Sequence, residues 1–266
     1  MKPWKPWTAP LAAAILLPLM LASCLFMPGK FESSLTIHKD RSFTFTYKGE
    51  VVALDLDDPG KGITEASSEP ADMMAENATE ADDSIYENTT EEIPAETAEQ
   101  RAEASAKRQA EKDEQYREVA AQLAKEAGYR TVEYRGNGVF YVDYAISGVL
   151  THNFTYPYNL DSAMVFPWVS VELRGKDAVR VKATGFAKQD LSSLGPLGMG
   201  GGAPPGGSAP PSKVNGTFTL ITDAGVVSQN NEEGAETVGA DTVITWRVTP
   251  KTPDAPMAVL RVKPIP

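Results

Sequence analysis

The chain has 266 residues, with 25 basic and 36 acidic side chains, a formal net charge of −11 and one cysteine. This length is enough for one good core or two small ones. The acidic balance argues against nucleic acid as a partner, because contacts to phosphate need a basic surface. A single cysteine has no partner within the chain, so packing and not a disulfide must stabilise the fold.

Residues 1–23 have the three parts of a secretory signal peptide. Lys2 and Lys5 give a positive start, an apolar stretch follows, and small residues precede the expected cleavage point. The apolar stretch is interrupted by Pro18 and is shorter than the roughly 20 apolar residues that a membrane-spanning helix needs. We therefore expect this segment to be removed from the mature protein.

The run Leu21-Ala22-Ser23-Cys24 resembles the lipobox of bacterial lipoproteins. The resemblance implies that acyl chains such as palmitate are attached to the Cys24 thiol and anchor the mature protein in a membrane of the cell envelope. Several chains are needed for a stable anchor, since each buried CH₂ contributes about 0.8 kcal/mol. Asp after the cysteine retains members of this family in the inner membrane. Leu25 stands there in this chain, so for a Gram-negative host the resemblance implies the outer membrane, facing the periplasm or the exterior. The alternative is an ordinary secreted protein with an incidental cysteine.

The mature chain is expected to open with a lipidated N-terminus and spacer at 24–32, followed by a β-hairpin at 33–56. In the second strand of this hairpin, Phe43, Phe45 and Tyr47 alternate with polar residues. A period of two places these three aromatic side chains on one face of a sheet.

Residues 57–96 form an acidic insertion that the composition predicts to be disordered. From Asp55 to Glu96 there are fourteen acidic residues and one basic residue, Lys61. Large apolar side chains are too few here to offset the entropy of ordering the segment. Its charge accounts for the acidity of the mature protein, and the remainder is about neutral.

A helical pattern follows over 97–127. Its first half is made of alanine and charged residues and is expected to be solvated. In the second half, one stripe is expected to dock on the sheet. It consists of Tyr116, Val119, Ala120, Leu123 and Ala127. A coiled-coil dimer is the alternative for this stripe.

The rest of the chain is predicted to be mainly strand and turn. Helix and strands occupy 97–190, a Gly/Pro-rich flexible loop occupies 191–212, and the last strands occupy 213–266. The predicted fold class is α+β. A curved antiparallel sheet is expected to pack on one long helix, with the two low-complexity segments as insertions.

Several short motifs together resemble a known family. They are Gly128-Tyr129, Gly136-Asn137-Gly138, Thr222-Asp223-Ala224 and Thr245-Trp246-Arg247-Val248. With the lipobox and the early hairpin, they are similar to the LppM-type bacterial lipoprotein domain and to uncharacterised lipoproteins of alphaproteobacteria. The resemblance implies a curved antiparallel sheet over a helix, similar to Bet v 1-like folds. It also implies a binding role towards lipids or lipoglycans, and it does not imply catalysis.

Candidate site residues are few. His38 and His152 have no carboxylate or cysteine at metal-ligand spacing, so no metal or cofactor is predicted. Asp143 lies among aromatic residues and is a weak functional candidate, for which a surface position is the alternative. Three aromatic residues could line a ligand cavity: Phe166, Trp168 and Trp246. Pro167 lies between the first two. The alternative for these residues is packing in the core.

Two functions fit these observations. The first is a membrane-anchored binding module that holds a lipid or another apolar ligand in a cavity between helix and sheet. The second is a structural or assembly lipoprotein that contacts another envelope protein through the acidic segment and the charged half of the helix. An enzyme is the least supported class, since no catalytic constellation is present in the sequence.

Overall fold

The computed structural model describes residues 25–54, 98–157, 167–188 and 213–265. Cys24, the leader 1–23, the predicted acidic insertion 57–96 and the predicted loop 191–212 lie outside the described residues. The regular elements, in chain order, are β1 Leu25–Ile37, β2 Ser42–Leu54, α1 Ala98–Leu123, β3 Tyr129–Tyr134, β4 Val139–Val149, β5 Phe154–Tyr156, β6 Val169–Arg174, β7 Ala178–Lys182, a 3₁₀ turn Thr184–Phe186, β8 Asn215–Thr222, β9 Gly225–Gln229, β10 Glu236–Val238, β11 Asp241–Val248 and β12 Met257–Arg261.

The strands form two sheets. The large sheet has the order β10-β11-β8-β1-β2-β4-β3, and the small sheet has the order β5-β6-β7-β12-β9. The predicted α+β class is confirmed, but the single antiparallel sheet is not: there are two sheets, and β1 pairs with β8 in parallel. Two parallel strands need a long connection between them, and here the connection from β1 to β8 contains most of the chain.

Alternating side chains build the interface between the sheets. On β2, Phe43, Phe45 and Tyr47 are buried, as the period of two predicts. The Phe45 ring lies 4.9 Å from that of Tyr156, and the Tyr47 ring lies 5.4 Å from that of Trp168, so residues of the two sheets are in direct contact. We call this side of the large sheet its inner face. Aromatic packing across two sheets therefore forms the core.

The helix α1 docks at one edge of the large sheet. Tyr116 and Ala120 are buried, and the Tyr116 ring lies 5.5 Å from the rings of Tyr134 and Phe140. Val119, which the predicted stripe placed at the interface, is 36% exposed. The helix thus lies beside the small sheet, over β3 and β4, and does not cover the whole large sheet.

Within the described ranges, no helix has both the length and the apolar character needed to cross a membrane.

The spacer predicted at 24–32 is replaced by strand. β1 begins at Leu25, which pairs with Leu54 at the far end of β2. The sequence Pro28-Gly29 is typical of a turn. A register shift between Pro28 and Phe31 lets the strand continue past these two residues. The sheet therefore begins directly after Cys24.

Two glycines allow β1 to lie between its neighbours at Phe31. The Phe31 ring is buried and stacks on Phe186 at 4.1 Å. A Cβ at Gly216 on β8 would collide with the Phe31 carbonyl oxygen, and one at Gly49 on β2 would collide with the Lys30 carbonyl oxygen. Only glycine permits this close backbone approach on both sides of the strand.

Candidate functional site

The two histidines have ordinary polar partners. His38 lies in the β1–β2 turn, with its Nδ1 3.5 Å from Asp223 Oδ1, and its side chain is 45% exposed. His152 follows β4, is exposed, and its Nδ1 is 3.1 Å from the Thr151 hydroxyl. Among the residues that the structure describes, no group of three or more His, Cys, Asp or Glu side chains could hold a metal ion.

Asp143 lies on the outer face of the large sheet, on the side turned away from the small sheet. Its carboxylate is 4.0 Å from the Lys48 ammonium on the neighbouring strand. Tyr144, its neighbour in sequence, is buried on the inner face, so the two side chains are on opposite sides of the sheet. Asp143 is thus a cross-strand ion-pair partner at a surface.

The predicted tryptophans belong to the core. Trp168 is 3% exposed and contacts Tyr47 and Tyr156. Trp246 is 8% exposed, stacks on Phe218 at 5.7 Å and donates its indole N–H to Asn230. Pro167 is half-buried, and Phe166 lies outside the described residues. Core packing, the alternative for these aromatics, is what the structure shows for both tryptophans.

Arg41 connects four segments at one end of the molecule, a role that no sequence pattern indicates. Its side chain is 5% exposed and its guanidinium donates to the backbone carbonyls of Lys263, Leu150 and Lys176, at 2.6, 3.2 and 2.8 Å. The residue has a φ of 76° in the β1–β2 turn. It therefore joins this turn to the end of β4, the β6–β7 turn and the C-terminal segment.

Three tyrosines form a row across the inner face of the large sheet. Tyr47, Tyr144 and Tyr129 are register partners on β2, β4 and β3. Tyr156 of the small sheet lies over them, 5.5 Å from the Tyr47 ring and 4.7 Å from the Tyr144 ring. The Tyr129 and Tyr144 rings meet edge to face at 4.9 Å. The row leads from the centre of the core to the end of α1.

The row opens between α1 and β5, the edge strand of the small sheet. Here Tyr129, Ile146 and Phe154 are half-buried, whereas Tyr47 and Tyr156 are buried. We call the five residues at this opening the apolar seam: Tyr129, Tyr144, Ile146, Phe154 and Tyr156. Among the described residues, it is a part of the inner face that neither α1 nor the small sheet covers completely.

The tyrosine hydroxyls of this region are protonated at neutral pH. Burial raises the pKa of Tyr129 to about 12, and the neighbouring Tyr144 and Glu126 act in the same direction. Burial also raises the pKa of Tyr144, and it raises the pKa of Tyr156 far above its usual value. Neutral phenols can pack and donate hydrogen bonds but cannot act as general bases. The seam is therefore suited to contact with apolar groups.

A polar contact fixes the helix at the end of β3 opposite to the seam. The Tyr134 hydroxyl donates to Asp113 Oδ1 at 2.6 Å and accepts from the Gly138 N–H at 3.0 Å. Burial, followed by this hydrogen bond to Asp113, raises the pKa of Tyr134 to about 12. Sequence reasoning identified the stripe on α1 but not this bond, because a polar residue on the docking face gives no periodic signal.

Comparison with known proteins finds a structural neighbour but no family. No family model matches the chain, and no curated protein matches it. Among solved structures, the NMR structure of the folded domain of Mycobacterium tuberculosis LppM is similar, with 16% sequence identity. The match covers 90% of this chain and 94% of that chain, with a TM-score of 0.29.

This neighbour is of the lipoprotein type that the sequence motifs resemble. At this TM-score the two backbones do not superpose closely enough to define a common fold. No property of LppM is therefore carried over to this chain, and its function must be inferred from its own sequence and from the geometry of the described residues.

Proposed function

We propose that this chain is a non-enzymatic lipoprotein of the bacterial envelope whose domain binds an acyl chain, or a similar apolar ligand, at the apolar seam. The anchor is Cys24, and Leu25 after it favours the outer membrane. The observation that carries the binding role is the seam itself, where Tyr129, Ile146 and Phe154, which belong to both sheets, are half-buried.

The chemistry of the seam supports an apolar ligand. Phe154 contacts Phe43 and Phe45 at 5.0 and 5.4 Å, so the core continues to the surface without a charged residue between these rings. A bound acyl chain would extend this packing and remove apolar surface from water. The hydroxyl of the half-buried Tyr129 could hydrogen-bond the polar end of such a ligand.

The seam differs from the ligand position that the sequence predicts, which is between helix and sheet. Tyr116 and Ala120 occupy the contact between α1 and the large sheet, with Tyr116 against two rings at 5.5 Å. The seam lies next to this contact, beyond the end of the helix.

A pair of substitutions on β4 tests the binding role. Ile146→Asn places an amide in the seam, whereas Val149→Asn changes a 55% exposed valine on the same strand, on the opposite face. We expect the Cys24→Ser protein to bind cis-parinaric acid, a fluorescent fatty acid. In this protein, Ile146→Asn should weaken the binding about tenfold, because the substitution removes roughly 1.4 kcal/mol of apolar contact. Val149→Asn should leave the affinity unchanged.

The titration also separates this function from its alternative. Absence of parinaric acid binding, or equal effects of the two substitutions, would contradict the proposal. Such a result would favour an assembly lipoprotein that contacts an envelope protein. The observation behind that alternative is α1, in which Arg108, Glu111 and Arg117 are exposed and available to a partner.

A further inference from the structure

Four lysine residues lie at one end of the small sheet. The first ends β7 and pairs with Met257 at the start of β12. The second donates its backbone N–H to the Thr252 carbonyl at 2.7 Å, next to the third in the β11–β12 loop. The fourth precedes β8. We call these residues the lysine cluster: Lys182, Lys188, Lys251 and Lys213, in the order just described.

Lys213 belongs to the cluster because it lies across from the β11–β12 loop. Gly216 of β8 pairs with Val248 of β11, and Lys213 and Lys251 each lie three residues beyond this pair. Lys182 is half-buried and the other three lysines are exposed. The cluster is therefore part of the surface at this end of the molecule.

The lysine cluster lacks the acidic partners that other surface lysines have. Lys39 and Lys48 each lie 4.0 Å from an aspartate carboxylate. Within the described ranges, no carboxylate lies within that distance of a cluster ammonium. Close in sequence to the four lysines there are two acidic residues, Asp190 and Asp254. Four positive charges against two negative ones leave an excess of two positive charges here.

Residues 55–97, between β2 and α1, begin at the same end of the molecule. β8 starts to pair with β1 at Lys30, just after Lys213, and β2 continues past this level to Leu54, which pairs with Leu25. The strand from Lys30 to Leu25 spans about 16 Å, at about 3.3 Å per residue, and β8 and β2 are about 10 Å apart with β1 between them. Ten residues of extended chain span about 33 Å, so the segment can reach the cluster from Leu54.

Residues 55–97 also end on this side. Tyr134 and Val51 both pair with Phe140, so the Tyr134 end of β3 is the end at which β2 finishes. The hydroxyl of Tyr134 bonds to Asp113, and α1 runs antiparallel to β3, so residues 98–112 extend past β3 by about 22 Å, at about 1.5 Å per residue. Both attachment points of the segment are therefore on the side of the lysine cluster.

We propose that the acidic residues of this chain at 57–96 dock on the lysine cluster. From Asp55 to Glu96 there are fourteen acidic residues and one basic residue, whereas the cluster has an excess of positive charge. Each exposed ion pair contributes about 0.2–1 kcal/mol, and a covalent tether supplies an effective concentration in roughly the millimolar range. Several such pairs together therefore suffice to hold the segment at the cluster. This contact needs neither the lipid anchor nor the apolar seam.

Paramagnetic relaxation in the NMR spectrum of the mature protein tests this contact. Cys24→Ser removes the native thiol, and Ser84→Cys carries a nitroxide label among the acidic residues. We expect the amide signals of Lys188 and Lys251 to lose intensity several-fold relative to the reduced, diamagnetic label. The signal of Asp177 should keep its intensity, because Asp177 lies in the β6–β7 turn at the opposite end of β7.

Charge reversal provides the matched comparison. Lys188→Glu and Lys251→Glu, made together, should abolish the loss of intensity at Lys213, and so should about 1 M salt, at which the Debye length is about 3 Å. Lys39→Glu with Lys176→Glu makes the same change of charge at exposed positions of the opposite end and should leave the loss unchanged.

Full signal intensity at the cluster, or equal effects of the two pairs of substitutions, would overturn the docking. A mixture of nitroxide-labelled protein with isotope-enriched, unlabelled protein tests a second copy as the occupant. We expect no loss of intensity in this mixture, and a loss as large as in the singly labelled protein would assign the contact to another copy and overturn the proposal. No lipid or fatty acid is present in these samples, so the outcome is distinct from that of the parinaric acid titration.

Discussion

Arg41 illustrates how a single residue can determine the shape of one end of this fold. It is buried, yet its charge is met by three backbone carbonyls from separate segments. Hydrogen bonds from a charged donor contribute about 1.5–3 kcal/mol each in favourable cases, and part of this offsets the cost of burying the guanidinium. The left-handed backbone of the residue opposes folding by about 1–2 kcal/mol.

These opposing contributions can be measured with two substitutions. Arg41→Ala should lower the free energy of unfolding by about 3 kcal/mol, because the three carbonyls lose their donor. Arg41→Gly should be less destabilising than Arg41→Ala by about 1 kcal/mol, because glycine adopts a φ of 76° freely. Urea unfolding of the three proteins checks both values. Equal midpoints for the unsubstituted protein and Arg41→Ala would show that the hydrogen bonds are not important for stability.

At the level of elements, α1 is attached by few contacts. Its apolar contact with the sheet is made by the buried Tyr116 and Ala120. Its polar contact is the hydrogen bond from the Tyr134 hydroxyl to Asp113. Because the first half of the helix extends past β3, its position depends on this attachment.

Tyr134→Phe removes the hydroxyl and keeps the ring contacts. We expect a loss of about 1–2 kcal/mol in stability, because Asp113 and the Gly138 N–H lose a partner. Amide hydrogen exchange should become faster over residues 113–123 of α1. Tyr141→Phe is the matched control, since Tyr141 lies on the outer face of β4 with Arg135 4.3 Å above its ring. If both variants behave alike, the hydroxyl of Tyr134 does not hold the helix.

For the whole molecule, the buried phenols predict alkaline instability. The folded-state pKa of Tyr129 is about 12 and its ordinary pKa is 10.0, so the folded protein retains this proton at pH values where the unfolded chain releases it. The stabilisation is complete below pH 10 and is lost as the pH rises towards 12, by about 3 kcal/mol for this residue. Tyr129→Phe should reduce the slope of unfolding free energy against pH in this window, as measured by denaturant titration. An unchanged slope would contradict the assignment.

Local patterns predicted the elements of this fold better than their arrangement. Alternation at Phe43, Phe45 and Tyr47 identified β2 and its buried face, and the stripe with Tyr116 identified the docking half of α1. The parallel pairing of β1 with β8 has no local signature, because the close approach of the two strands depends on Gly216, which lies far from β1 in the sequence. In the sequence, Pro28-Gly29 predicts a spacer and not a strand, because a bulge and a turn use the same residue types.

The candidate site was even less accessible to sequence reasoning. His38, Asp143 and the two tryptophans were selected for their chemistry, and the structure assigns them to surface contacts or to the core. Tyr129, Ile146 and Phe154 come from three separate strands, and only the packing of the two sheets brings them to one opening. Whether an apolar side chain is half-buried depends on the packing of distant segments, and the spacing of apolar residues along the sequence does not predict it.

The pairing of β1 with β8 also affects the order in which the molecule can fold. The hydroxyl of Thr222 donates to the carbonyl of Ile37 across 185 residues, next to the last pair of the parallel ladder. Synthesis produces β1 early, but the strand has no neighbour on this side until residues 215–222 have been made. Contacts of such high sequence separation slow folding. The central strand of the large sheet therefore has one unpaired edge until β8 has been synthesised, so the two halves of this sheet can join only late.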